Sequence, residues 1–203
     1  MKLYYAVPSP FARKVRIALI ETGLSDSVEL VATPASPMTD EGPPLSANPL
    51  KKVPCLVRDD APSIYDSRVI CRFIASLRPH ADLYPDGNRL WETLTLEATA
   101  DGMMDAAVLM VYERRVRPEK KQMEEWTEAQ WSKIASALAA VERRWMPFLA
   151  GPVDMGHLAL ASALQYLDFR HHERDWRKTH PALQAWEAEI AARPSLQATM
   201  PHD

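Results

Sequence analysis

The chain has 203 residues, of which 47% are hydrophobic and 25% are charged, with a formal net charge of -3. These values are typical of a folded protein with one large domain or two small ones and a substantial core. The slight acidic excess gives no reason to expect a nucleic-acid partner. Because the sequence has two cysteines, no C-x-x-C motif and no apolar run near the roughly 20 residues that cross a bilayer, we expect a cytoplasmic protein that does not span a membrane.

The first part of the chain alternates strand-like and helix-like hydrophobic periods. In chain order we predict a strand at 3–6, a helix at 11–19 closed by Gly23, a strand at 28–32, a loop at 33–48, a hairpin of 55–57 with 63–65, and a helix at 70–77. The predicted order is therefore βαβ, loop, ββα.

The second part of the chain shows helical periods almost exclusively. We predict helices at 90–116, at 131–145 before Pro147, at 155–169 with Asp154 as N-cap, and at 182–192 before Pro194. A polar connector with Pro and Gly separates the two parts. The predicted organisation is an α/β domain at 1–79, a linker at 80–88 and an all-α domain at 89–203.

The first candidate functional residue is Ser9, which stands where the first helix should begin. Ser is a good N-cap, and Pro10 suits the first helical position. A hydroxyl at this positive helix end could stabilise a bound thiolate. Holding a thiol of pKa about 8.5 ionised at neutral pH requires about 2.7 kcal/mol. A charge-assisted hydrogen bond of about 1.5–3 kcal/mol together with up to about 1–2 kcal/mol from the helix end can supply it. The alternative is that Ser9 only caps the helix.

The second candidate segment is Lys52-Val53-Pro54, at the start of a predicted strand. An X-Pro bond is the one place where a cis peptide costs little. If Val53-Pro54 is cis, the Val53 N–H and C=O are free to pair with an extended peptide, and Lys52 can reach its carboxylate. The alternative for Lys52 is a solvated loop residue.

The third candidate pair is Asp66 and Ser67, where a strand ends and a helix begins. Ser67 with the backbone N–H groups suits a carboxylate, and Asp66 suits an ammonium group. These are the two charges of an α-amino acid terminus. A simple helix cap is again the alternative.

Together, the motifs S-P-F-x-R-K-V-R, N-P-x-x-K-V-P-x-L and Y-D-S-R-V-I resemble those of bacterial-type cytosolic glutathione transferases, with further likeness at 101–107, 112–115 and 158–164. The resemblance implies a thioredoxin-like N-terminal domain, an all-α helical C-terminal domain and a homodimer. It also implies glutathione as a co-substrate and no further cofactor. By the resemblance, Ser9 activates the sulfur, Val53 beside cis-Pro54 binds the cysteinyl backbone, Lys52 meets the glycyl carboxylate, and Asp66 with Ser67 holds the γ-glutamyl end.

The chain departs from the family pattern at three places. The predicted hairpin turn has Ala61-Pro62 where a Gly-containing turn is usual. Lys51 stands where relatives commonly have Gly. In the helical part, Asp154 and His157 replace the usual capping box of a hydroxyl residue followed by Asp. Asp154 can still cap, but His157 returns the reciprocal bond only if its tautomer and angle permit.

The candidates for a second-substrate pocket come from both parts of the chain. Arg13 suits an anionic acceptor if it is not simply a solvent-facing helix residue, and the methionines suit varied apolar electrophiles unless they belong to the helical core. The candidate residues are Phe11, Arg13, Met103, Met104, Ala107 and Tyr112. His157, His171 and His172 lack metal-site spacing, so we expect no metal.

The predicted activity is conjugation of the glutathione thiolate to a small apolar electrophile. The same thiolate could serve a glutathione-dependent isomerase, dehalogenase or peroxidase. A non-catalytic glutathione-binding protein is a further alternative, since fold alone does not define function.

Overall fold

The structure is a computed structural model and describes residues 1–34 and 36–203. The chain forms two compact units, Met1–Asp86 with Pro194–Asp203, and Gly87–Arg193. The sequence-based division put residues 194–203 in the helical domain. The structure groups them with the first unit because the short helix α9 (Pro194–Gln197) packs on the first helix of the chain, α1 (Pro10–Glu21).

The first unit is built on a sheet of β1 (Lys2–Tyr5), β2 (Glu29–Ala32) and β3 (Cys55–Val57) in the order β2-β1-β3. The central strand β1 pairs parallel to β2 and antiparallel to β3. Leu3 lies opposite Leu30 on one side and Leu56 on the other, and both Leu3 and Leu56 are fully buried. The core of this unit therefore starts at the middle of β1.

The predicted hairpin is shorter than expected. Ile64 pairs with Leu56 through two backbone hydrogen bonds of 2.9 and 3.0 Å, but the residues around Ile64 form an isolated bridge and no strand. Pro62 has no N–H to donate to a ladder, and the Arg58 side chain donates to the Pro62 carbonyl at 2.8 Å. The prediction of a second hairpin strand was therefore wrong.

The helices α1 and α2 (Ser67–Ser76) complete the first unit. They pack on each other, and each buries an apolar stripe, including Val15 and Ala18 from α1 and Ile70 and Ile74 from α2. Gly23 follows α1 with a φ of 65°, which only a residue without a side chain adopts at little cost. The predicted stop of the first helix is confirmed at this residue.

The second unit is helical among the residues that the structure describes. Its helices are α3 (Arg89–Arg115), α4 (Glu124–Arg144), α5 (Met146–Leu149), α6 (Met155–Arg170), α7 (Trp176–Thr179) and α8 (Pro181–Ile190). The helix α6 is buried from Met155 to Leu167 and packs along α3. Gly156 permits their close approach, since a Cβ there would lie 2.9 Å from the Thr93 carbonyl oxygen. No helix among the described residues is both long and apolar enough to cross a membrane.

The start of α6 is fixed by a buried capping network around Asp154. Its carboxylate accepts hydrogen bonds from the Gly156 and His157 amides, from the Thr93 hydroxyl at 2.8 Å and from Arg89 at 3.2 Å. The His157 Nδ1 lies 3.4 Å from the Asp154 amide nitrogen and 2.7 Å from Oδ1, and the shorter contact favours Nδ1–H donating to the carboxylate. Burial alone would raise the pKa of Asp154, but the hydrogen bonds from His157 and Thr93 lower it below its ordinary value. The unusual Asp-x-x-His pair therefore caps this helix.

His171 ends α6 as a buried imidazole with one unused nitrogen. Its Nε2 lies 3.0 Å from the Ala107 carbonyl oxygen, which requires Nε2–H to donate. Its buried Nδ1 has no hydrogen-bond partner among the described residues. Burial lowers the pKa of His171, with Arg114 and Arg174 acting in the same direction and the Ala107 bond and Glu173 opposing them. The native structure therefore holds His171 neutral.

We expect His171 to make the unfolding free energy depend on pH. Its pKa is lower in the folded chain than the value of about 6.5 in the unfolded chain. The stability that neutral His171 supplies is therefore present above pH of about 6.5 and is lost as the pH falls from there toward the folded pKa. In urea denaturation at stepped pH, His171→Gln should reduce this acid dependence, which reaches about 1.4 kcal/mol per pH unit for one proton.

The neighbouring His172, whose side chain is 82% exposed, supplies the matched control. His172→Gln should leave the acid dependence as it is in the parent chain. Equal pH profiles for the parent and His171→Gln would contradict the assignment.

Candidate functional site

The topology of the first unit brings the three predicted segments to one edge of the sheet. Ser9 follows the carboxyl end of β1 through a short turn, and Tyr4 near that end pairs with Cys55 at the start of β3. Pro54 therefore lies at the same edge. Because Ile64 pairs antiparallel to Leu56, the chain that continues to Asp66 also runs toward this edge. The sheet thus gathers segments that are far apart in sequence.

Ser9 is the N-cap of α1, as predicted. Its φ of -78° and ψ of 120° are those of a cap residue, and its Oγ accepts a hydrogen bond from the Ala12 amide at 3.3 Å. Pro10 occupies the first turn. Ser9 is half-buried, and no acceptor for its hydroxyl hydrogen is found among the described residues. The hydroxyl can therefore donate to an anion beside the positive end of the helix.

The Val53–Pro54 peptide bond is cis, in agreement with the prediction. Within the described chain, neither the N–H nor the C=O of half-buried Val53 has a hydrogen-bond partner. A buried or half-buried backbone normally pairs these groups, so an unpaired N–H and C=O are suited to an extended, peptide-like ligand. Lys52 is exposed, and the described residues include no ion pair to its ammonium group.

Asn48 holds this segment in place. Its side-chain amide donates to the Lys52 carbonyl at 2.9 Å, and its side-chain oxygen accepts from the Leu50 amide at 3.0 Å. Asn48 itself is almost fully buried. The sequence analysis did not assign it a role, although an Asn that bonds its own backbone two residues on is a known turn former.

Lys51 adopts a backbone conformation that explains its unusual place in the motif. Its φ is 52°, in the left-handed region that glycine favours. Its ammonium group pairs with Asp40, at 2.9 Å from Oδ1 and 3.1 Å from the carbonyl oxygen. The backbone of Gly42 lies close to that of Lys51, because a Cβ at Gly42 would lie 2.6 Å from the Lys51 carbonyl oxygen. Lys51 thus ties the preceding loop to the segment that carries Lys52.

Asp66 and Ser67 form the start of α2. The Asp66 Oδ1 accepts from the Arg68 amide at 3.0 Å, and the rest of this exposed carboxylate faces outward. The peptide bond between Tyr65 and Asp66 is also cis. Ser67 is only 2% exposed, yet its hydroxyl has no hydrogen-bond partner among the described residues. An acid and a free hydroxyl at a helix N-terminus can bind an ammonium group and a carboxylate together.

The predicted second-substrate residues fall into different environments. Met103, Met104 and Ala107 are buried in the helical unit, which favours a core role for these three side chains. Tyr112 and Phe11 are half-buried, and burial raises the pKa of Tyr112. The assignment of these residues to a pocket stays a prediction.

Arg13 is not the solvent-facing residue that its helical position suggested. It is 2% exposed, and its guanidinium group donates to the Leu196 carbonyl at 3.2 Å and to the Thr199 hydroxyl at 3.3 Å. No pattern in the sequence indicated these partners, which lie far away in the chain. Among the described residues, no three His, Cys, Asp or Glu side chains are grouped so that they could hold a metal ion.

Comparisons with known proteins agree with this geometry. Residues 8–77 match the family model of the glutathione S-transferase N-terminal domain, and residues 124–189 match that of the C-terminal domain. The chain is 30% identical to the uncharacterized GST-like protein YibF of Escherichia coli K12, over 99% of this chain and 98% of the relative. The chain belongs to the glutathione S-transferase family.

Solved structures extend the likeness to three dimensions. A glutathione transferase family member from Pseudomonas fluorescens Pf-5, with bound glutathione, is 42% identical with a TM-score of 0.96, over 100% of this chain and 99% of that one. The same relative with bound S-(propanoic acid)-glutathione has a TM-score of 0.92 over 100% of both chains. A transferase from Methylobacillus flagellatus KT with glutathione bound is 34% identical with a TM-score of 0.86, over 99% of both chains. The predicted fold class, a thioredoxin-like domain followed by a helical domain, is confirmed.

We expect the left-handed backbone at Lys51 to distinguish two substitutions. Lys51→Gly and Lys51→Ala both remove the ammonium group that pairs with Asp40, but only glycine adopts the φ of 52° at little cost. In urea denaturation, Lys51→Gly should therefore be more stable than Lys51→Ala by about 1 kcal/mol. Equal unfolding free energies for the two variants would show that the positive φ is not adopted in solution.

Proposed function

We propose that this protein is a glutathione transferase that conjugates the glutathione thiolate to a small electrophile. The observation that carries the proposal is the Ser9 hydroxyl, which is free to donate at the N-terminus of α1 and lies at the same sheet edge as the unpaired backbone of Val53. A relative that is 42% identical binds both glutathione and S-(propanoic acid)-glutathione, and the second ligand is a conjugate of the kind that this reaction forms.

Glutathione is an extended tripeptide-like molecule, and its parts match the polar groups at this edge. Its cysteinyl N–H and C=O pair with the Val53 backbone beside Pro54. Its glycyl carboxylate meets the exposed Lys52 ammonium group. Asp66 and Ser67 hold the ammonium and carboxylate groups of its γ-glutamyl end.

In the proposed reaction, the Ser9 Oγ–H donates to the glutathione sulfur and lowers the thiol pKa. The thiol proton leaves to solvent, and the sulfur electron pair forms a bond to the electrophilic carbon. In a substitution the leaving group departs with its bonding electrons, and in an addition the resulting carbanion takes a proton from water. No separate general base is needed, because the thiolate is already present at neutral pH.

Other parts of the proposal follow from family membership. We propose a homodimer in the cytoplasm, and a monomer mass by light scattering at micromolar concentration would count against the dimer.

Isomerase, dehalogenase and peroxidase chemistry start from the same thiolate, and product analysis with a panel of electrophiles separates them from conjugation. Detoxification is the corresponding proposal for the biological role.

We expect Ser9→Ala to raise the pKa of the bound glutathione thiol by about two units, because the variant removes the donor to the thiolate. The kcat/KM for conjugation at neutral pH should fall about 25-fold as the thiolate fraction falls. The measurement is a pH titration of thiolate absorbance with glutathione bound.

Ser9→Thr keeps a hydroxyl and an N-cap and supplies the matched control, with a thiol pKa close to that of the parent. If glutathione binds the parent chain with an ordinary thiol pKa, the role of Ser9 is wrong and the protein binds glutathione without activating it. If glutathione does not bind, the proposed function is wrong.

We expect Ser67→Ala to raise the Kd for glutathione about tenfold, because a hydrogen bond to a charged carboxylate contributes about 1.5 kcal/mol. Ser76→Ala is the control on the same helix, since the Ser76 hydroxyl donates to the Phe73 carbonyl in the last turn. Isothermal titration calorimetry should find a Kd near that of the parent for Ser76→Ala. An equal Kd for Ser67→Ala and the parent would remove Ser67 from the binding site.

A further inference from the structure

Asn48 carries a buried side-chain amide that bonds the backbone two and four residues further along the chain. Asn48 is 1% exposed, its Oδ1 accepts from the Leu50 amide at 3.0 Å, and its Nδ2 donates to the Lys52 carbonyl at 2.9 Å. Burying a polar group is costly unless it is hydrogen-bonded, so the fold favours both of these bonds. The Lys52 carbonyl is therefore held toward the buried side chain of Asn48.

The Lys52 carbonyl belongs to the same peptide unit as the Val53 N–H. This peptide bond is trans, so its C=O and N–H lie in one plane and point in opposite directions. Because the C=O points toward Asn48, the N–H of Val53 points away from Asn48. The Val53 N–H has no hydrogen-bond partner among the described residues. One side-chain bond of Asn48 thus fixes the direction of a free backbone donor.

Asn48 is itself held by the backbone around it. Its N–H donates to the Pro44 carbonyl at 3.0 Å, and its carbonyl accepts from the Lys51 amide at 3.0 Å. The neighbouring Ala47 donates from its N–H to the same Pro44 carbonyl at 2.8 Å. The thiol of Cys55, the first residue of β3, donates to the Ala47 carbonyl with a sulfur-to-oxygen distance of 3.5 Å. The Asn48 amide therefore belongs to a turn that is bonded to the sheet.

The chemistry of the two bonds explains why an asparagine stands here. A side-chain amide offers an acceptor oxygen and an NH2 donor on one short side chain. An ionised aspartate has acceptors only, and a serine hydroxyl can form the turn bond two residues on but is too short to reach the Lys52 carbonyl as well. In the motif N-P-x-x-K-V, the first residue therefore orients the backbone of the last one.

We propose that Asn48 is a positioning residue for glutathione, because its bond to the Lys52 carbonyl orients the Val53 N–H toward the cysteinyl carbonyl of the ligand. This inference rests on the proposed function, in which the Val53 backbone pairs with the cysteinyl group. A donor that is oriented before the ligand arrives does not have to be ordered on binding. Asn48 thus acts on glutathione affinity, whereas Ser9 acts on the ionisation of the sulfur.

The first test removes the donor of Asn48 and keeps the turn. In Asn48→Ser the hydroxyl still accepts from the Leu50 amide but does not reach the Lys52 carbonyl. Calorimetry on the full chain should find the Kd for glutathione raised about fivefold, because a well-oriented hydrogen bond to the ligand is weakened. The binding stoichiometry and the pKa of the bound thiol should stay as in the parent chain, in contrast to the pKa change expected for Ser9→Ala.

This combination separates a positioning role from a structural one. A partly unfolded variant would bind with a lower stoichiometry and the parent Kd, and that result would overturn the proposal, as would an unchanged Kd at full stoichiometry. Asn88→Ser is the matched control, because Asn88 is the other asparagine of the chain and its side chain makes no capping bond at the start of α3. It should change neither quantity.

A second variant guards against a folding defect in Asn48→Ser. Asn48→Asp has the same size, keeps an acceptor for the Leu50 amide and replaces the donor with an oxygen that faces the Lys52 carbonyl. It should raise the Kd for glutathione at least as much as Asn48→Ser does. Added salt screens its extra charge and should not restore the parent Kd. Recovery of the parent Kd in salt would assign the effect to charge and overturn the proposal.

A glutathione analogue tests whether the Val53 N–H is the group that Asn48 orients. In this analogue an ester replaces the amide between the cysteinyl and glycyl residues, so the cysteinyl carbonyl is a weaker acceptor. The parent chain should bind the analogue about fivefold more weakly than glutathione, and this ratio should fall to about half in Asn48→Ser. Loss of the glycyl N–H affects both proteins alike and cancels in the comparison.

Equal ratios in the parent and in Asn48→Ser would overturn the orientation that is assigned to the Val53 N–H. If the parent chain does not bind glutathione at all, the proposed function is wrong and this inference is wrong with it. If the parent binds glutathione and lowers its thiol pKa but Asn48→Ser binds it equally well, only the positioning role of Asn48 is wrong.

Discussion

The candidate site depends on the central place of β1 in a three-stranded sheet. Because β1 pairs parallel to β2 and antiparallel to β3, its carboxyl end lies beside the amino end of β3. Ser9 and Pro54 therefore reach the same edge although they belong to different parts of the chain. The Ile64–Leu56 bridge then carries Asp66 toward this edge. One pairing pattern thus brings the Ser9 hydroxyl, the unpaired Val53 backbone and the Asp66 carboxylate to one edge of the sheet.

The elements that were predicted well are those with strong local signals. Ser9-Pro10 and Gly23 mark the limits of α1, Asp154 marks the start of α6, and Val53-Pro54 permits the cis bond. In each case the residue type restricts the backbone by itself. A strand around Ile64 was predicted but does not form. The alternation of side chains does not reveal that the Arg58 side chain donates a hydrogen bond to the Pro62 carbonyl in the turn.

Contacts between distant segments could not be predicted. Arg13 occupies a helical position that looks solvent-facing, and its burial depends on Leu196 and Thr199, more than 180 residues away. The unpaired hydroxyl of Ser67 is likewise a property of the folded chain, since the sequence cannot show which polar groups lack partners. Conversely, Lys51 at a position where glycine is usual was noticed in the sequence, and its positive φ gives the physical reason for that preference.

The return of residues 194–203 to the first unit has a consequence for biosynthesis. A ribosome delivers β1, α1 and β3 early, but two hydrogen-bond acceptors of the Arg13 guanidinium group arrive late, with Leu196 and Thr199. The unit that carries Ser9 therefore completes its packing only after the whole helical unit has been synthesised, and the nascent chain must keep α1 accessible until then. The helical unit is thus synthesised before the unit that carries the candidate site can be completed.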